Sequence, residues 1–67
     1  MVSYDIITVR YGEYLIQDVF LDGIEVRDSS QIPEGISRRL KSVMDYCNRE
    51  MRRRPGTNIL VGEGELN

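Results

Sequence analysis

The stretch Ile36 to Arg54, ISRRLKSVMDYCNREMRRR, reads as the only long helix of the chain. Ile36, Leu40, Val43, Met44, Cys47 and Met51 fall at i, i+4, i+7, i+8, i+11 and i+15. At 3.6 residues per turn that spacing gathers them into one stripe about 100° wide, which another layer must cover. The opposite side carries Arg38, Lys41, Arg49, Arg52 and Arg53, with Arg39 and Tyr46 at one border. Asp45 is the one carboxylate among them and is expected to pair with Lys41 or Arg49 at helical spacing. Pro33 suits the first turn, where a missing N–H costs nothing, and Glu34 sits near the positive end of the helix dipole. Pro55 removes a donor and restricts Arg54, and Gly56 follows, so the helix must stop at about Arg54.

The layer that covers the stripe is encoded upstream. Tyr4 to Tyr11 (YDIITVRY) and Tyr14 to Leu21 (YLIQDVFL) are rich in β-branched and aromatic residues, and Gly12-Glu13 between them suits a type II′ turn. Asp22-Gly23 is a stronger, type I′ signal and leads into a short third strand, Ile24 to Arg27. The two turns agree on register: the first pairs Tyr4 with Leu21 and Ile6 with Val19, the second Leu21 with Ile24 and Val19 with Val26. Those six residues share the face that meets the helix. On the other face Asp18 is expected opposite Arg27, and Phe20 lies between Asp5 and Glu25. Asp28 to Ile32 is a polar connection, with Ile32 as a staple against the helix start.

After Pro55-Gly56, Thr57 to Gly62 reads as a short fourth strand, which a right-handed crossover places parallel beside the first, giving sheet order 3-2-1-4. Gly62 to Asn67 is expected to fray. The expectation is therefore an α+β fold: a three-stranded antiparallel meander, one long amphipathic helix on one sheet face, and a short C-terminal strand, all within a single domain spanning residues 1–67.

A domain this small buries only about 60% of its unfolded surface, so a second chain would add stability. No apolar run reaches membrane-spanning length, and the first residues lack the regions of a secretion signal, so a cytoplasmic protein without a membrane partner is expected. The lone Cys47 cannot close an intramolecular disulfide and lies on the apolar stripe, where a small core residue is expected. The net charge of −2 conceals a segregation. Residues 1–35 hold seven carboxylates against Arg10 and Arg27, a net −5, whereas residues 36–54 hold seven cations against Asp45 and Glu50, a net +5. Opposite faces of the fold are thus expected to carry opposite potentials.

Enzymatic chemistry finds no support in these residues. Without histidine there is no imidazole base and no histidine-containing metal site, and one cysteine cannot build a thiolate cluster. Asp18, Asp22 and Glu25 lack the spacing of a calcium loop, and Gly62-Glu63-Gly64 places carboxylates where a phosphate would sit. No cofactor, metal or catalytic residue is expected. The basic helix face, Arg38, Lys41, Arg49, Arg52 and Arg53, complements the dipole and solubilises the helix; its alternative use is contact with nucleic acid or an acidic partner. On the outer sheet face, Ile7, Val9, Tyr11, Tyr14 and Ile16 lie together with little polar relief. Contiguous apolar residues of that kind mark an interface, with a protein partner or in a homodimer.

A strand hairpin, one helix and a final strand in so short a chain is similar in plan to small phage-encoded inhibitors, anti-CRISPR proteins among them. Ser3-Tyr4-Asp5-Ile6-Ile7-Thr8 resembles the opening strand of the small dimeric phage inhibitors of uracil-DNA glycosylase, a likeness confined to those six residues. Those inhibitors are more uniformly acidic and no functional residue is carried over. The resemblance implies a non-enzymatic inhibitor of a nucleic-acid-processing or defence enzyme.

Overall fold

Both turn signals close hairpins. Gly12 is left-handed (φ 63°) while Glu13 is not, and Asp22 (φ 51°) and Gly23 (φ 80°) are both left-handed, the φ pattern that the Gly-X and Asp-Gly pairs are suited to. In the computed structural model, which describes all 67 residues, these turns join β1 (Val2–Tyr11), β2 (Tyr14–Leu21) and β3 (Ile24–Glu25) into an antiparallel meander. Tyr4 faces Leu21, Ile6 faces Val19, and Leu21 faces Ile24, the register expected from the two turns.

β3 is shorter than its sequence suggests, because the backbone after Val26 finds other partners. Asp28 accepts from the Ser30 N–H at 3.0 Å, and the Gln31 side chain accepts from the N–H groups of Arg27 and Asp28 at 3.2 and 3.3 Å. This reciprocal cap starts a 3-10 turn at Ser29–Gln31 and draws the chain off the sheet. The expected Asp18–Arg27 pair is therefore absent, and Arg27 meets Glu25 at 3.5 Å instead.

The helix α1 (Glu34–Arg53) begins after Pro33 and ends at Arg53, close to both proline signals. It packs over β1 and β4 (Ile59–Leu66). Sheet order is β3-β2-β1-β4, as expected, but β4 runs antiparallel to β1, from Ile59 opposite Val9 to Leu66 opposite Val2. The short β3 is the reason. Two residues of strand leave the chain at the end of the sheet where β1 began; α1, 20 residues and so about 30 Å long, carries it to the other end, and the only way on is back. The fourth strand is accordingly eight residues long rather than short, and Gly62 to Leu66, expected to fray, are paired with β1 throughout.

Ile6, Val19, Leu40, Cys47 and Leu66 form the buried core cluster, and Met51 is fully buried outside it. Val43 and Met44, on the borders of the helix stripe, are half-buried against this core, as are Ile32 and Ile36. Ile24 lies on the face expected of it but remains 72% exposed, since on that face α1 lies over β1 and β4 and not over β3. Thr8, at 0% exposure, is a polar residue in the same layer, and its hydroxyl accepts from the Gln17 side-chain amide at 2.9 Å across the β1–β2 pair. That amide also reaches the Met44 carbonyl at 3.4 Å, tying sheet to helix.

Gly62 and Gly64 face α1 in alternation with Glu63 and Glu65, which face outward. A methyl group at Gly62 would lie 2.8 Å from the Cys47 Sγ, and one at Gly64 would lie 2.8 Å from the Tyr4 hydroxyl. Both glycines therefore serve close packing: one lets the helix approach, the other seats the Tyr4 ring across the strand.

Candidate functional site

Strand alternation assembles the outer face of the sheet from the odd residues of β1 and β4 and the even residues of β2. Read across the sheet, its rows are Tyr11 with Tyr14; Ile59, Val9 and Ile16; Val61, Ile7 and Asp18; then Glu63, Asp5, Phe20 and Glu25; and last Glu65 with Ser3. One end of the face is apolar and the other is acidic. Tyr11, Tyr14, Ile16, Ile59 and Val61 are each more than half exposed, and Ile7 and Val9 in the middle of the patch are half-buried by their neighbours. All five residues expected there, Ile7, Val9, Tyr11, Tyr14 and Ile16, come together on this face.

Sequence reasoning missed two of its members, Ile59 and Val61. The apolar run Ile59-Leu60-Val61 does not disclose which residue faces the helix, and a parallel β4 gives no register with β1. Only the antiparallel pairing puts Ile59 beside Val9 and Val61 beside Ile7. The last strand therefore widens the patch instead of covering it.

The acidic end carries Asp5, Asp18, Glu25, Glu63 and Glu65 with no cation among the rows, Arg27 lying at the border against Glu25. The opposite pole of the molecule is the outward face of α1. Arg38, Lys41, Arg49, Arg52 and Arg53 are all exposed there. Asp45 pairs with neither Lys41 nor Arg49; the carboxylate that does work as a partner is Glu50, 3.4 Å from Arg53 and 3.4 Å from Arg54. Arg38, Lys41, Arg49 and Arg52 thus stand without a carboxylate within 4.0 Å.

Two titratable groups depart from their ordinary values. Desolvation pushes the Cys47 thiol up, which keeps it protonated and makes it a packing group under α1. The backbone and side chain of Ser30 bond the Asp28 carboxylate and hold it below the ordinary range. Neither group lies on the outer sheet face, and no cluster of three or more metal-ligating side chains forms. No helix is long and apolar enough to cross a membrane. Comparison of the chain with protein-family profiles, curated proteins and solved structures finds no match.

Proposed function

We propose that this protein is a non-enzymatic binding module that acts in the cytoplasm by pressing the outer face of its sheet onto a protein partner. The observation that carries this reading is the face itself: seven apolar side chains at one end and five carboxylates at the other, on a sheet whose opposite side is already committed to the helix. A patch of about 400 Å² contributes on the order of 10 kcal/mol gross per side at 25 cal/mol/Å². That is enough to offset much of an association cost of about 4–15 kcal/mol.

The surface best matched to it is an apolar depression bordered by lysine and arginine, a combination found where proteins handle nucleic acid. An inhibitor of a nucleic-acid-processing or defence enzyme is the specific form of the proposal. A homodimer through the apolar end is the related form, in which two offset copies join Ile7, Val9 and Ile16 while their acidic ends diverge. Sedimentation separates the two: a monomer at high concentration assigns the face to a foreign partner, and a dimer that Ile7→Lys with Ile16→Lys dissociates assigns it to a second copy. A dimer indifferent to those substitutions contradicts both.

A second reading rests on the five cations of α1 that lack a carboxylate partner, Arg39 with the four named above. If they bind phosphates, log K for a generic oligonucleotide falls with log salt by about 0.7–0.9 per phosphate neutralised, and alanine at Lys41 and Arg49 flattens that slope. Absence of binding at low salt removes this reading and leaves the first intact.

A further inference from the structure

β4 is an outer strand, paired along its whole length with β1 and with nothing on its other side. The Arg10 N–H donates to the Asn58 carbonyl at 2.7 Å, and antiparallel alternation from that bond turns the backbone of Leu60, Gly62, Gly64 and Leu66 toward β1. The N–H and C=O groups of Ile59, Val61, Glu63 and Glu65 consequently face outward. Proteins usually blunt such an edge with charged side chains, lysine above all, with proline or with a bulge, and the charges of β4 are Glu63 and Glu65. β4 contains no proline and no lysine, and its register is unbroken over eight pairs. The other edge of the sheet is less available, since β3 covers the end of β2 and the Val26 N–H donates to the Val19 carbonyl at 2.8 Å.

Beside the β4 edge runs a groove of about 230 Å³ between the strand and α1, walled by Val43, Tyr46, Cys47 and Leu60, floored by Gly62, and lined also by the Glu50–Arg54 ion pair. A strand laid along the edge would alternate its side chains between this groove and the outer face. On the outer side it would meet Glu63 and Glu65, neither of which has a cationic partner.

We propose that β4 accepts an extended segment of a partner protein as a fifth, antiparallel strand, with basic side chains opposite Glu63 and Glu65 and apolar ones entering the groove opposite Leu60 and Gly62. Charge selects a foreign segment over a second copy. β4 has no cation of its own, so pairing it with itself either sets glutamate against glutamate or sets Glu63 against an apolar residue. Reading from its N-terminus, the complementary segment runs basic, any, basic, apolar, any, apolar.

The test is backbone amide exchange followed by NMR on the full chain, with the capped peptide Lys-Thr-Lys-Val-Thr-Val-Thr as probe. Added at millimolar concentration, it should slow exchange about tenfold or more at Ile59, Val61, Glu63 and Glu65, and leave Leu60, Gly62 and Gly64, already bonded to β1, unchanged. A peptide with both lysines replaced by glutamate should have no effect on the native chain, and Glu63→Lys with Glu65→Lys should reverse that preference. The Ile7→Lys and Ile16→Lys variant should still bind the peptide, which keeps the strand edge distinct from the outer-face interface. The proposal is overturned if the four outward amides are not slowed, if both peptides slow them equally, or if they become protected in the protein alone as its concentration rises.

Discussion

Gly62 and Cys47 occupy one space, and either can be enlarged only at the other's expense. Gly62→Ala brings a methyl group to 2.8 Å from the sulfur and should destabilise the fold by about 1–3 kcal/mol, the usual cost of overpacking. In a Cys47→Ala background the same substitution should cost less by about 1 kcal/mol or more, because the clashing atom is gone. Chemical denaturation of the four chains measures that coupling, and an equal cost in both backgrounds would show that the glycine serves some other purpose. Thr8 is the comparable polar case. Gln17→Ala leaves its buried hydroxyl without the amide it accepts from and should cost about 1–3 kcal/mol, whereas the double variant with Thr8→Val should recover part of that loss. The two pairs differ in how far they were legible in the sequence. Gly62-Glu63-Gly64 resembles a terminal loop until a strand direction turns its glycines toward the helix, whereas the hairpin register already sets Thr8 opposite Gln17 and only the burial of the hydroxyl and its bond to the amide were hidden.

At the scale of elements, local signals that act within a few residues were readable, and those that depend on where an element leaves the chain were not. The helix, its proline boundaries and both hairpin registers follow from spacing and turn chemistry alone. The direction of β4 does not, because it depends on β3 stopping after two residues, and that depends on the side-chain cap from Asp28 and Gln31. Leu40 tests the helix assignment. Its side chain is buried beneath α1, and Leu40→Ala should cost about 2–5 kcal/mol, so an unchanged denaturation midpoint would contradict the packing described. Asp28 tests the cap. Its folded pKa is depressed, so its contribution to stability is complete above the ordinary aspartate value of about 3.9 and is lost as pH falls through the lower folded value. The wild-type chain should therefore be more stable than Asp28→Ala at neutral pH, with the difference closing below about pH 4. A gap independent of pH would mean that the carboxylate's charge takes no part in the turn.

For the molecule as a whole, the arrangement of charge matters more than its sum. A net of −2 resolves into a cationic helix and an acidic, partly apolar sheet separated by one thin core. The segregation was legible from the sequence because the helix is contiguous; the full extent of the outer face was not, because Ile59, Val61, Glu63 and Glu65 join it only through the antiparallel β4. Two poles of opposite sign give two accounts of where a captured partner is held. Quantitative capture from the native host, with recovered proteins identified by mass spectrometry, distinguishes them when three baits are compared: the wild type, Ile7→Lys with Ile16→Lys, and Lys41→Ala with Arg49→Ala. The outer-face account predicts a protein enriched by the wild type and the helix variant and lost from the sheet variant, while circular dichroism shows all three baits folded. A partner retained by the folded sheet variant and lost from the helix variant would contradict it.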